Sequence, residues 1–267
     1  MNKISVALPA YNSSVFIEDL ILNFINAKSI KEIVINDDNS PSDEFEKLLS
    51  IVEKFKTLDH IDIVLDRNKE NHGEFINTYL TVEKCQSDFI YQIDQDNLPS
   101  LKSLKKLSKM NNLGEYKDCL FLPSSLYPFR FDHKKESRFS KNKITFFNKN
   151  TILNKNQVGK MIKEKVPLHS NKFTIEFSLG AGNVFFHKNT YLKKIKEGLK
   201  EDRRNISSSS HAVSYYWLKN NGRIFYPKHL YHFHRRHANS QYNLMSEDVD
   251  ISAEFIRNKI IEWTIND

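Results

Sequence analysis

The sequence predicts an α/β protein with a mixed, mainly parallel sheet flanked by helices. Along the first half, short β-prone runs alternate with segments whose apolar residues recur at helical spacing. Such an alternation is typical of βαβ units, in which ligands bind beyond the carboxyl ends of the strands. Four polar clusters are expected at that edge, and they cover residues 9–12, 37–38, 67–73 and 94–96.

Runs of aliphatic and aromatic residues predict the strands of the first half at residues 4–8, 32–36, 61–65, 88–94 and 119–122. The helices between them are expected at residues 15–27, after residue 40, at residues 73–84 and after residue 100. Ser13 and Ser14 suit the cap of the first helix. Ser40 at the cap, Pro41 in the first turn and Asp43 three residues after the cap predict the start of the second.

The second half shows a weaker hydrophobic period. Residues 128–172 are rich in Lys, Asn and Phe, and we interpret them as a long excursion with a helix near residues 157–165. Further strands are predicted at residues 184–186, 224–226 and 230–234, and further helices at residues 211–219 and 249–263. The run Asn220-Asn221-Gly222 indicates where the first of these helices ends.

Length and composition limit the classes of protein that fit. The 267 residues suit one sizeable domain, and a hydrophobic content of 39% with 12% aromatic residues supplies a core. Because no apolar run approaches the roughly 20 residues of a membrane-spanning helix, we expect none. Cys85 and Cys119 lie far apart without metal-binding spacing, which predicts a reduced, cytoplasmic protein. The net charge of +7 permits anionic partners without choosing among them.

The segment Asp94-Gln95-Asp96 carries the strongest chemical signal. A β-prone run ends there in two carboxylates one residue apart, and residues i and i+2 of a strand point to the same side. Two converging carboxylates suit a hard divalent cation such as Mn²⁺ or Mg²⁺, which in turn can hold a diphosphate. An acidic turn after a strand is the plainer alternative.

Five segments taken together resemble the family 2 glycosyltransferases of the GT-A fold, a Rossmann-like fold of nucleotide-diphospho-sugar transferases. They are Leu8-Pro9-Ala10-Tyr11-Asn12, residues 34–40, residues 93–97, residues 180–182 and residues 235–240. The resemblance is close up to about residue 125 and patchy beyond it. It implies one GT-A domain with a nucleotide-sugar-binding half at 1–125, an acceptor-binding half at 126–240 and a C-terminal helix at 241–267.

The resemblance implies inverting transfer of a hexosyl group from a nucleotide-sugar, most often a UDP-sugar, to a hydroxyl of a glycan or lipid-linked acceptor. In that comparison, Pro9, Ala10, Tyr11 and Asn12 line the nucleotide pocket, Asp38 contacts the uracil or ribose, and Arg67 reaches the nucleotide. Asp96 and Asp94 take the metal-binding role with Mn²⁺ or Mg²⁺, and the backbone at Gly182 approaches the donor sugar.

The general base is the point at which this chain departs from the family. The family usually places an Asp just before the helix that leads to the glycine corresponding to Gly222, and that position falls at Ser210-His211. His211 is one candidate base, since a neutral imidazole accepts a proton well. Asp202 and Glu201 form the nearest acidic pair, about ten residues earlier.

A second unusual cluster is the run of His and Arg at residues 232–237. The family often brings such residues over the diphosphate, so that His234 is a candidate metal ligand and Arg235 a candidate phosphate contact. An exposed basic strand edge that prevents aggregation is the alternative.

Two other classes of function compete with an enzyme. A degenerate glycosyltransferase-like binding module would explain the absence of an acid at Ser210 and His211, whereas the intact Asp94-Gln95-Asp96 argues against it. A nucleic-acid-binding protein is suggested by charge alone, and since no nucleic-acid motif is recognisable we expect no such partner. The basic surface instead favours a cytoplasmic enzyme that associates peripherally with the inner membrane surface.

Overall fold

The computed structural model describes residues 2–58, 60–132, 135–139, 143–169, 173–180, 182–236 and 246–263. The side chains of residues 128–132, 135–139, 235, 236, 246 and 249 lie outside this description.

The main sheet has eight strands in the order β10-β12-β6-β11-β4-β1-β2-β3. Its strands are β1 (Ile4–Ala10), β2 (Ile30–Asp37), β3 (Asp62–Arg67), β4 (Phe89–Gln92), β6 (Cys119–Phe121), β10 (Thr151–Leu153), β11 (Val184–His187) and β12 (Arg223–Tyr226). The strands β3, β2, β1 and β4 pair in parallel, as do β6 and β12, whereas β11 is antiparallel to both of its neighbours. The predicted mixed, mainly parallel sheet is therefore confirmed.

Helices cover both faces of this sheet. They are α1 (Ser14–Phe24), α2 (Ser42–Glu53), α3 (Glu74–Lys84), α4 (Leu101–Ser108), α5 (Lys155–Lys163), α6 (Ile175–Leu179), α7 (Lys188–Ile195), α8 (Ser209–Lys219) and α9 (Ser246–Glu262). Helices α1, α2 and α4 bury their apolar sides against one face, and α3, α7 and α8 bury theirs against the other. Within the described residues, no helix is both long enough and apolar enough to cross a membrane.

A second, smaller sheet was not expected from the sequence. It contains β5 (Leu98–Pro99), β13 (Tyr231–Arg236), β7 (Ser125–Asp132) and β8 (Lys135–Phe139), with β9 (Ile144–Thr145) paired to β7. Three of these strands lie in or border the predicted excursion at 128–172. The strand β13 pairs with β5 and β7 across more than 100 residues of chain, and such pairing leaves no local signal in the sequence.

Candidate functional site

The first predicted loop is tied directly to the Asp94–Asp96 turn. At the carboxyl end of β1, the amide of Tyr11 donates to Oε1 of Gln95 at 2.8 Å, and Nε2 of Gln95 donates back to the carbonyl of Tyr11 at 3.2 Å. The next residue, Asn12, has a φ of 49° and donates its amide to Ser40 Oγ at 3.0 Å. Gln95, the middle residue of Asp94-Gln95-Asp96, thus joins two of the polar clusters.

The carboxylate of Asp38 holds the loop before α3. It is almost fully buried, and it accepts hydrogen bonds from the amides of His72 (3.0 Å) and Gly73 (2.7 Å). The side-chain amide of Asn68 adds a third, at 2.8 Å. Asp38 therefore lies at the predicted edge of the sheet, and it fixes the shape of the loop at residues 68–73.

The neighbouring acid, Asp37, is bonded within its own turn and to Arg67. Its carboxylate accepts from the amide of Ser40 at 3.0 Å, and Nε of Arg67 lies 3.3 Å from it. The guanidinium of Arg67 also donates to the carbonyl of Ser40 and stacks 4.4 Å from the centroid of Phe45. Arg67 is therefore held flat against the β2–α2 connection, with about a third of its side chain exposed at 29%.

Three side-chain amides and one glycine surround Asp94. Its two carboxylate oxygens accept from Gln92 (3.0 Å) and Asn97 (3.1 Å), and its backbone amide donates to Asn183 at 2.9 Å. A Cβ placed on Gly182, whose φ is +64°, would lie 2.2 Å from Oδ2 of Asp94. Gly182 therefore allows its own backbone to lie directly on this carboxylate.

A third carboxylate, which sequence reasoning missed, lies beside this pair. Glu74 is the first residue of α3, next to Gly73, whose amide Asp38 holds. Burial, followed by the negative charges of Asp94 and Asp96, raises the pKa of Glu74, and burial and Asp96 raise the pKa of Asp94 in the same way. The three carboxylates therefore repel one another at this edge of the sheet.

The ring of His211 is buried against Gly180. Nδ1 lies 2.7 Å from Oγ of Ser208, and Nε2 lies 3.1 Å from the carbonyl oxygen of Glu176. A Cβ on Gly180 would lie 2.0 Å from its Cε1. Burial lowers the pKa of His211, so that its imidazole is neutral at pH 7. Because a carbonyl only accepts, Nε2 carries the proton, and the lone pair of Nδ1 faces the hydroxyl of Ser208.

The two acids that were the other candidate bases are bonded within their own segment. Glu201 accepts from Asn205 (3.0 Å), Tyr216 (3.2 Å) and the amide of Asp202 (3.2 Å), and these hydrogen bonds lower its pKa. Asp202 caps the short helix at 203–206 by accepting from the amide of Arg204 at 2.8 Å. Both acids therefore stabilise the connection that leads into α8.

That connection also reaches the loop at residues 68–73. A guanidinium nitrogen of Arg203 donates to the carbonyl of Asn71 at 3.1 Å, and a Cβ on Gly73 would lie 2.7 Å from Nε of Arg203. The candidate acceptor half thus touches the loop that Asp38 shapes, and Arg203 is a second residue at the site that was not expected.

The histidines of β13 lie on one face of the second sheet, as alternation predicts. Their ring centroids are 6.0 Å apart, and His232 is fully buried, with neither ring nitrogen hydrogen-bonded to any described residue. Burial lowers the pKa of His232 well below its usual range. The backbone of His232 pairs with Pro99, two residues after Asn97, so this face borders the Asp94–Asn97 turn. The side chain of Arg235, residue 181 and residues 237–240 lie outside the described part of the chain.

The donor set at this edge of the sheet fits a hard cation. Within the described residues, no three His, Cys, Asp or Glu side chains are arranged as a complete metal site. Burial and then the charges of Asp94 and Asp96 raise the pKa of Glu74, and burial and then Asp96 raise the pKa of Asp94. A divalent cation placed among these carboxylates would therefore lower the free energy. Such cations often take their remaining ligands from water and from a bound diphosphate.

The chain is similar to known proteins in sequence and in structure. The family model described as glycosyl transferase family 2 matches residues 5–164. Among solved structures, S. aureus TarS 1–349 in complex with UDP-GlcNAc superposes with a TM-score of 0.60 at 13% identity, covering 99% of this chain and 72% of that one. The complex of TarS 1–349 with UDP gives 0.60 at 15% identity, with coverages of 99% and 71%. A search of curated proteins gave no match.

At these identities the structural likeness concerns the fold alone, and it confirms the predicted GT-A architecture. The family match is independent of that likeness and covers the clusters around Asp38 and Asp94. Because it spans more than half of the 267 residues, the chain belongs to glycosyl transferase family 2 and is a glycosyltransferase.

Proposed function

We propose that this protein transfers a sugar, with inversion, from a nucleotide-sugar to a hydroxyl of a glycan or lipid-linked acceptor, and that a divalent cation assists. One observation carries the proposal: the Asp94–Asp96 turn is joined to the nucleotide loop through Gln95 and to the glycine segment through Asn183. A donor bound in this corner would have its nucleoside, diphosphate and sugar in contact with three separate elements.

The nucleoside would lie on Pro9, Ala10, Tyr11 and Asn12, beside Asp38 and Arg67. Asp38 and Arg67 already hold the two loops that bound this pocket, at residues 68–73 and 40–45. We propose uridine as the nucleoside of the donor, because TarS, with the same fold, has been crystallised with UDP and with UDP-GlcNAc. In this proposal the sugar lies against the backbone at Gly182, and Arg235 approaches the diphosphate.

Asp96 and Asp94 would hold the cation, Mn²⁺ or Mg²⁺, with His234 approaching from β13. When bound, the cation would supply positive charge to the leaving diphosphate. The chain's own contribution is to fix these side chains: Gln92 and Asn97 orient Asp94, and Gln95 fixes the turn that carries Asp96. Glu74, as the third carboxylate, would strengthen the local preference for a cation.

For the base we propose His211, acting through Ser208. The hydroxyl of the acceptor would give its proton to Oγ of Ser208 as the Ser208 proton passes to Nδ1 of His211, while the carbonyl of Glu176 holds Nε2–H. The same Ser208–His211 bond joins the residue before α8 to the first turn of that helix. Glu201 and Asp202 are less suited to this role because their oxygens accept hydrogen bonds from their own segment.

His211→Ala and Ser208→Ala should therefore lower kcat by about 10²-fold or more while the affinity for the donor stays within a few-fold. The adjacent Ser207→Ala is the control, since its hydroxyl donates to the carbonyls of Arg204 and Asp248 and does not touch the ring. Melting temperatures of all three variants would separate the loss of the structural contact between Ser208 and His211 from the loss of the base. Full turnover in His211→Ala would exclude this relay and make Glu74 the next candidate.

The proposal is tested first by a thermal-shift panel of UDP, GDP, CMP and their sugars, each with and without Mn²⁺. A nucleotide that binds only the folded state raises the melting temperature, by linkage, and the rise should depend on the metal for one class of nucleotide. UDP and a UDP-sugar are expected to give it. If the folded protein shows no shift with any nucleotide, the alternative of a binding module without transfer activity is favoured. That alternative is motivated by Ser210, which stands where the family usually has an acid.

A further inference from the structure

A cluster of exposed lysines surrounds His229, away from the residues proposed for transfer. Lys102 and Lys106 lie on the outer face of α4, Lys143 precedes β9, and Lys228 is next to His229 in the β12–β13 connection. We call these four lysines the His229 patch. Desolvation and the positive charges of all four lysines lower the pKa of His229, which places them together around one imidazole.

Hydrogen bonds join the elements that carry the patch. The hydroxyl of Ser103 on α4 donates to the carbonyl of His229 at 2.7 Å and accepts from the amide of Tyr231 at 3.3 Å. The amide of Lys228 donates to Asn150 Oδ1 at 2.9 Å. Because the backbone beneath them is fixed, the lysines form one surface instead of three independent loops.

The segments of chain that carry the four lysines contain no acidic residue. Residues 97–110, 143–153 and 219–236 hold no Asp or Glu, although the chain has 33 acidic residues. Helix α4 buries Leu104 and Leu107, and its exposed residues are Lys102, Lys105 and Lys106. A uniformly positive surface of this kind repels cations and attracts a surface that carries many phosphates.

Half-buried aromatic rings border the lysines on the second sheet. The rings of Tyr127 and Tyr231 are 5.3 Å apart, and the Lys143 amine lies 5.9 Å from the Tyr127 centroid. Tyr127, Tyr231 and Phe233 meet one another at interplanar angles of 41° to 87°. At these angles the rings do not lie in one plane, so they do not form a flat shared platform for stacked nucleobases. Tyrosine beside lysine is instead the combination that suits a lipid headgroup region.

We propose that the His229 patch docks this protein onto a membrane surface rich in anionic lipid headgroups. The patch begins at α4, directly after the Asp94–Asn97 turn and β5, so docking would bring the bilayer surface alongside the candidate site. Lipid binding at the patch does not depend on the proposed transfer reaction, and it is measured without donor or acceptor.

The test is flotation of the full chain with vesicles of phosphatidylcholine alone and with about 30 mol % phosphatidylglycerol added. We expect binding to the anionic vesicles only, and its loss when ionic strength rises from about 0.1 M to about 1 M and the Debye length falls from about 10 Å to about 3 Å. The variant K102Q/K106Q/K143Q/K228Q should bind anionic vesicles at least about tenfold more weakly.

The matched control is K28Q/K31Q/K54Q/K56Q, which removes the same charge from exposed lysines on other elements. It should bind nearly as well as the unaltered protein, and the melting temperature of each variant would verify folding. Equal weakening in both variants would mean that net charge alone acts, and would overturn the proposal. So would unchanged binding by the patch variant, or binding to a labelled single-stranded oligonucleotide in preference to the anionic vesicles.

Discussion

Replacing Asp96 by asparagine is expected to lower the rate of sugar transfer by about 10²–10³-fold or more, since it removes charge stabilisation from the leaving diphosphate. Asparagine keeps the size and shape of the side chain and removes the negative charge. Asp94 accepts hydrogen bonds from Gln92 and Asn97 that hold the turn, so its substitution would disturb the turn itself, and we therefore choose Asp96 first.

The same substitution has a distinctive effect on stability. Without a cation, Asp96 repels both Asp94 and Glu74, and this repulsion contributes to their raised pKa values. Asp96→Asn should therefore leave the melting temperature of the metal-free protein unchanged or higher, while the further rise caused by Mn²⁺ with UDP disappears. Loss of activity together with a gain in metal-free stability would be difficult to explain by misfolding.

Asp62→Asn is the control for this experiment. Asp62 is an exposed aspartate at the start of β3, at the opposite end of the strand from the site, and its substitution should change neither turnover nor metal binding. Full activity of Asp96→Asn, or full activity of the unaltered protein in a strong chelator, would contradict the proposed role of the cation.

Most of the main sheet was predictable because its buried strands leave a local signal in the sequence. The strand β10, which lies in the segment interpreted as an excursion, was not predicted. Buried parallel strands are continuous apolar runs, and the runs at β1, β2 and β4 end in polar residues that the topology brings to one edge. The clusters around Asp38 and Asp94 could thus be located from the order of residues along the chain. Their hydrogen-bond partners could not, since Gln95 and Asn183 lie in loops whose conformation is set by tertiary contacts. The bond from Arg203, in the short helix at 203–206, to Asn71 is likewise a tertiary contact.

Glu74 was not predicted as a site residue from the sequence, and its position in α3 explains why. An acid in the first turn of a helix is the common pattern that the helix dipole favours, so nothing in the sequence marks this one as different. Glu74 becomes a candidate site residue only because α3 packs with its first residue beside the Asp94–Asp96 turn. The second sheet escaped for a related reason: β5 and β9 are two residues long each, too short for any periodic signal.

Substituting Gly182 by alanine should affect transfer more than stability. Its φ of +64° is unfavourable for alanine and costs about 1–3 kcal/mol. The added Cβ would also lie 2.2 Å from the Asp94 carboxylate, so that carboxylate must move. A displacement near 1 Å in a catalytic arrangement can cost about 10²-fold in rate, and we expect a fall in kcat of that order.

Two further glycine variants separate strain from displacement. Gly182→Asn brings in the same Cβ but tolerates a positive φ, as the next residue, Asn183, does at 50°. Compared with Gly182→Ala, Gly182→Asn should have a higher melting temperature but the same lowered kcat. Gly114→Ala, where no atom lies within 4 Å of the added Cβ, should be close to neutral in both. If Gly182→Ala instead retained normal kcat with reduced stability, the glycine segment would have no part in positioning Asp94, and the role proposed for it at the donor sugar would have to be abandoned.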